Sequence, residues 1–292
     1  ARRPSLVGGP ERALGATELA SAVAAAPTFG SARLLAELGT LCSERGEFVE
    51  ALALLRQAKR AHEVLGTLGK PEGTELLLRL GAVHVAAGDA ALAARAFAEA
   101  RDLCELTSRI ATPQGAQVLT CIGEAKLSQG DAAGAAEAFA EAYRIRDIMG
   151  QSEAPETAAL LTNIGDARRA QGFANRALGD YEEALAVLAR LDGLEGPAAV
   201  RLLTSVGAAR CDIGDFLGAE RALDMARRLQ GRLRSSAPGV VGKVVEGCCS
   251  IDAVGTMGGF LGAGARKNSE LVDQLEDKLA AARASALHRT SL

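Results

Sequence analysis

Apolar positions along this chain return at helical spacing in short, evenly placed blocks. From Pro71, the positions Leu76, Leu77, Leu80, Val83 and His84 fall three or four residues apart and mark one face of a helix. Gly88 then interrupts, and Ala93, Phe97 and Ala100 resume the same spacing on a second helix. The pair of blocks recurs every 42 residues without an insertion: Gly39, Gly81, Gly123, Gly165 and Gly207 form one column, and Gly46, Gly88, Gly130, Gly172 and Gly214 another. Ala51, Ala93, Ala135, Ala177 and Ala219 form a third, and Ala58, Ala100, Ala142, Ala184 and Ala226 a fourth. Pro71, Pro113, Pro155 and Pro197 open the first helix of four repeats, where a missing N–H costs nothing.

Each column predicts a local structure. The Gly46 column ends the first helix in a left-handed residue. Asp89, Asp131 and Asp215 follow it and are placed to cap the second helix. Small residues in the Gly39, Ala51 and Ala58 columns let helix axes approach, while Leu55, Phe97, Phe139, Tyr181 and Leu223 fill between them. The unit is a helical hairpin.

This order of Gly, Ala, aromatic or Leu, and Ala resembles the tetratricopeptide repeat, and the 42-residue length is similar to its kinesin light chain type. The run 148–165, with Pro155-Glu156-Thr157-Ala158 and Leu161-Thr162-Asn163-Ile164-Gly165, carries the resemblance best. It implies an all-α, right-handed α-solenoid of five helix-turn-helix repeats (29–70, 71–112, 113–154, 155–196 and 197–238) with helical caps, covering about 70% of the chain. One column departs from the pattern. Where the family has a large apolar residue, this chain has Cys42, His84, Lys126, Arg168 and Arg210, so looser or solvated packing is expected there.

The ends read less clearly. Residues 1–28 form a degenerate N-terminal helical cap or a flexible lead; a weak helical pattern over 10–25 lies where the second helix of an earlier repeat would fall. Residues 239–292 form a divergent C-terminal cap: a further first helix over 240–254, a Gly-rich joint over 255–264 and an amphipathic last helix over 268–287, with Leu271, Leu275, Leu279 and Ala282 on one stripe. That last helix caps the solenoid or folds back to block its groove.

Composition narrows the chemistry. Apolar residues are 48% of the chain but aromatics only 3%, so the core rests on Ala and Leu, which favour helices. A net charge of −3 gives no basic field for nucleic acid or anionic lipid. The six cysteines contain no C-x-x-C, and the three histidines form no zinc-type spacing with them, so no metal or other cofactor is expected. Gly259 to Gly264 has phosphate-loop spacing, but Ala265-Arg266-Lys267 follows instead of Lys-Ser or Lys-Thr. No nucleophile has an evident base and orienting partner, so no enzyme is expected. No stretch is long and apolar enough to span a bilayer, and the reading is a cytoplasmic protein without membrane insertion. The first residue, Ala1, is compatible with a piece of a longer enzyme or with a missing targeting segment.

The resemblance assigns the concave inner face to the first helices. There it places Arg33, Glu37, Thr40 and Glu44; Glu75, Leu78, Arg79 and Val85; Gln117, Thr120, Cys121 and Glu124; Thr162, Asn163, Asp166 and Arg169; and Arg201, Thr204, Ser205 and Asp212. The candidate peptide-binding residues are Arg79, Thr120, Glu124, Thr162, Asn163, Asp166, Arg169, Arg201 and Thr204. Thr120, Thr162 and Thr204 form a ladder of hydroxyls suited to a peptide backbone, with Asn163 able to bond a main-chain amide. A clamp for a C-terminal carboxylate is disfavoured, because only Asn163 and Arg201 suit it and Glu124 repels. The expected partner is another protein, offering an extended peptide or amphipathic helix of mixed or basic charge. The expected function is a non-catalytic interaction scaffold. The alternative is a structural subunit packing into a larger assembly through its outer surface or last helix.

Overall fold

The computed structural model describes residues 27–191 and 193–235, together with Val272 and Ala280. Ten α-helices follow one another: α1 (Phe29–Glu44), α2 (Phe48–Val64), α3 (Pro71–Ala86), α4 (Ala90–Leu106), α5 (Pro113–Ser128), α6 (Ala132–Ile148), α7 (Pro155–Ala170), α8 (Ala174–Arg190), α9 (Pro197–Asp212) and α10 (Phe216–Ser235). The described residues contain no strand. Each odd helix packs most closely on the even helix after it, and each even helix packs on the next odd one. The chain is therefore an α-solenoid of hairpins, as the 42-residue period predicts.

The two glycine columns have separate roles. Gly46, Gly88, Gly130, Gly172 and Gly214 hold φ between +80° and +86°, the left-handed turn that separates the two helices of each hairpin. Gly81, Gly123 and Gly165 instead make room: a Cβ there would stand 2.3–2.4 Å from the rings of Phe97, Phe139 and Tyr181. Those rings are buried against the bare helix backbone, which fixes how closely each hairpin closes.

Capping follows the expectation in two of three repeats. Asp131 and Asp215 accept from the N–H of Gly134 and Gly218, both at 2.9 Å. Asp89 makes no capping bond and instead lies 3.6 Å from Nδ1 of His84. The departing column splits likewise. His84 is buried, whereas Lys126, Arg168 and Arg210 are half-exposed and bend back to the start of their own second helix. There they meet Asp131, Asp180 and the carbonyl of Gly218 respectively. These long side chains close the hairpin with charge where an apolar residue would close it by packing.

Apolar burial divides into two clusters. One contains Leu35, Leu55, Leu77, Leu78 and Phe97 and ends on Val118, Cys121 and Ala125 of α5. The other begins on Ala116 and Leu119 of the same helix and runs through Phe139, Tyr181, Leu203 and Leu223. Val272, helical and 3% exposed, belongs to this second cluster, so a residue from beyond the fifth repeat is packed with the C-terminal end. The readings of 1–26, 240–254 and 255–264, and of 268–287 apart from Val272 and Ala280, lie outside the described residues.

Candidate functional site

Consecutive first helices (α1 with α3, α3 with α5, α5 with α7, α7 with α9) approach one another more closely than consecutive second helices do. That difference places the first helices on the inner side of the stack, as expected. The inner face is built from positions one helical turn apart on these helices, each reaching a neighbour one repeat away.

In the last three repeats the polar side chains join into one path. Asn163 donates from Nδ2 to Oε1 of Glu124 at 3.0 Å, and its Oδ1 accepts from Nη2 of Arg201 at 2.5 Å. Arg201 also reaches Oδ2 of Asp166 at 3.4 Å, and the hydroxyl of Tyr181 donates to Oδ1 of the same carboxylate at 2.7 Å. Glu124, Asn163, Asp166 and Arg201, all singled out in the sequence, thus form one network across α5, α7 and α9. Beside it, Nη1 of Arg169 donates to Asp212 at 3.2 Å. Burial and the Asp166 carboxylate together push the Tyr181 phenol far above its ordinary range, so it remains a donor.

The first two repeats carry one polar rung. Buried Arg79 donates from Nη1 to Oγ1 of Thr40 at 3.1 Å and from Nη2 to Glu75 at 2.5 Å. At the equivalent rung between the second and third repeats stand Ala82 and Cys121, which is apolar. Burial, with Glu124 adding, pushes the Cys121 thiol well up, so it is held as a neutral thiol.

The hydroxyl ladder differs from the expectation. Thr120, Thr162 and Thr204 each donate to the carbonyl four residues back, those of Ala116, Ala158 and Val200, at 2.8 Å. Their donors are spent inside their own helices, and Thr162 and Thr204 are buried. Asn163 is also buried, with its amide committed on both sides. The open part of the face is therefore Glu75, Gln117, Thr120, Glu124, Asp166, Arg169 and Arg201. Tyr181 was legible only as a core-filling residue; the signal for more was its hydroxyl, in a column that otherwise holds Leu and Phe, opposite the sole Asp of the Asp166 column. Among the described residues no three His, Cys, Asp or Glu side chains converge as metal ligands would, and no helix is long and apolar enough to cross a membrane.

No protein-family model matches the sequence, and no curated protein is detectably similar to it. Solved structures are similar in fold. A kinesin light chain protein of Podosopora anserina with nearly identical TPR-like repeats has a TM-score of 0.60 at 20% identity, over 70% of this chain and 96% of that one. BtubC (BKLC) from P. vanneervenii gives 0.61 at 19% identity, over 77% and 88%. A Rap protein complexed with Competence and Sporulation Factor gives 0.61 at 15% identity, over 94% and 76%. The fold of this chain is that of the TPR-like repeat proteins.

Proposed function

We propose that this tetratricopeptide-type solenoid is a non-catalytic interaction scaffold, whose inner face over the last three repeats takes an extended peptide or amphipathic helix of another protein. The observation that carries the reading is the network Glu124–Asn163–Arg201–Asp166. It ties three repeats into one preorganised strip while leaving Glu124, Asp166 and Arg201 partly open. A strip whose charges are already paired attracts little by net charge. It recognises a ligand by exchanging hydrogen bonds one for one, which suits a polar backbone or a side chain of mixed charge. The whole inner face counts six carboxylates (Glu37, Glu44, Glu75, Glu124, Asp166, Asp212) against four arginines (Arg33, Arg79, Arg169, Arg201), which favours a basic over an acidic partner. The same fold in the Rap protein is found with a second molecule held.

The test is affinity capture from native extract with three chains: the natural one, Arg201→Glu, and Glu182→Lys on the exposed outer side of α8. The expected result is a set of partners retained by the natural chain and by Glu182→Lys and lost by Arg201→Glu, with unchanged far-ultraviolet dichroism. Equal capture by all three chains would move the site off the inner face.

A further inference from the structure

Every first helix but one is covered by the second helix of the repeat before it: α2 lies on α3, α4 on α5, α6 on α7 and α8 on α9. The exception is α1. Leu34 is 60% exposed and Leu41 51%, on one face two turns apart. Their eight equivalents in the later repeats (Leu76, Val118, Leu160, Leu202 and Val83, Ala125, Ala167, Ala209) never exceed 3%. The sequence of α1 is thus written for a helix that lies on it.

We propose that this face is a docking surface and that its occupant is the chain's own segment 10–22, seated as the second helix of an incomplete leading repeat. The argument is one of register and length. Moving α2 (Phe48–Val64) back by one 42-residue period ends the equivalent helix at residue 22. Six residues, 23–28, then lead to α1, the same length that joins α2 to α3, α4 to α5, α6 to α7 and α8 to α9. Within the segment, Gly9 and Ala16 fall in the small-residue columns of Ala51 and Ala58, just before and inside the helix. Leu19 falls in the column of Ala61, Leu103, Ile145, Val187 and Leu229. Pro10 suits the first turn, with Glu11 beside it at the positive end of the helix. Arg12 stands in the column of Asp180, a position that in its own repeat pairs inward with Arg168; a leading repeat without a first helix leaves that side to water.

Tethering decides between this occupant and a second copy. A short linker holds the segment at an effective concentration in the millimolar range, well above that of free chains in dilute solution. The opposite end offers a parallel, since Val272 from outside the five repeats is buried with the last hairpins.

The experiment is hydrogen exchange on the full chain, read by mass spectrometry, beside light scattering. The natural chain should be a monomer whose amides over 13–22 exchange at least tenfold more slowly than an unstructured peptide. Leu34→Glu with Leu41→Glu should abolish that protection and leave α3 to α9 unchanged. Absence of protection in the natural chain, or protection indifferent to the double substitution, overturns the proposal. A dimer that the double substitution dissolves also overturns it and gives the face to a second copy.

Discussion

The two halves of this solenoid share a backbone plan and fill it differently. Up to α5 the inner helices are leucine-rich, with Arg79 bridging α1 and α3 before an apolar step at Ala82 and Cys121. Beyond α5 the corresponding positions carry a continuous polar path, with a tyrosine hydroxyl reaching it from the core. Hairpin closure is alike in both: a ring or Leu against glycine, and a left-handed glycine at the turn. The comparison separates two duties. Glycine, alanine and aromatic columns set the fold, and the rungs between first helices are free to vary with what the inner face must hold.

Closure should be the most sensitive point, and more so where the partner is a ring. Gly165→Ala and Gly123→Ala, each driving a methyl into a rigid aromatic, are expected to cost about 1–3 kcal/mol in urea denaturation. Gly39→Ala should cost less, because its added Cβ meets Leu55, which can turn aside. Equal losses would show that the rings are not what fixes the spacing.

The rungs come next. Arg201→Ala leaves buried Asn163 short of a donor and Asp166 short of a cation, for an expected loss of about 1–3 kcal/mol. Thr40→Val in the other half should cost about 0.5–1.5 kcal/mol, because Arg79 keeps Glu75. A larger effect at Thr40 would reverse the ranking of the halves. A smaller change of opposite sign is expected from Gly179→Ala in α8, where an added methyl meets nothing within 4 Å: a gain of about 0.5–1 kcal/mol, read as a raised Tm.

The smallest signal is a pH slope confined to the first half, which holds both described histidines. Burial lowers the pKa of His84 below its ordinary 6.5, with Asp89 opposing and Arg56 assisting. Burial lowers His62 also, against Glu72. The unfolded chain therefore binds these protons more readily. The stability tied to the neutral rings is present above pH 6.5 and is lost as pH falls from there toward the lowered folded-state values. Tm measured from pH 7.5 to 5.5 should fall less in His84→Gln than in the natural chain.

These contrasts also mark what the sequence made legible. Helices, turns and hairpin closure could be read because each depends on residues close together or on a column repeated five times. The network could be read only as a set of residue types. Whether Asn163 faces a ligand or Glu124 depends on how far side chains reach between helices 38 or 39 residues apart, which no local pattern encodes. The threonine ladder misled for the opposite reason: a hydroxyl on a helix finds its own backbone carbonyl before any visitor. Asp89 resembled its capping counterparts, but beside it stands a histidine where they have Lys126 and Arg210.

Packing that links each helix chiefly to the next has a consequence for how the protein is made. A hairpin needs little that lies downstream of it, so it is competent to fold once its own 42 residues have left the ribosome. The order of synthesis then becomes the order of assembly, and only the last hairpins must wait, for the arrival of Val272.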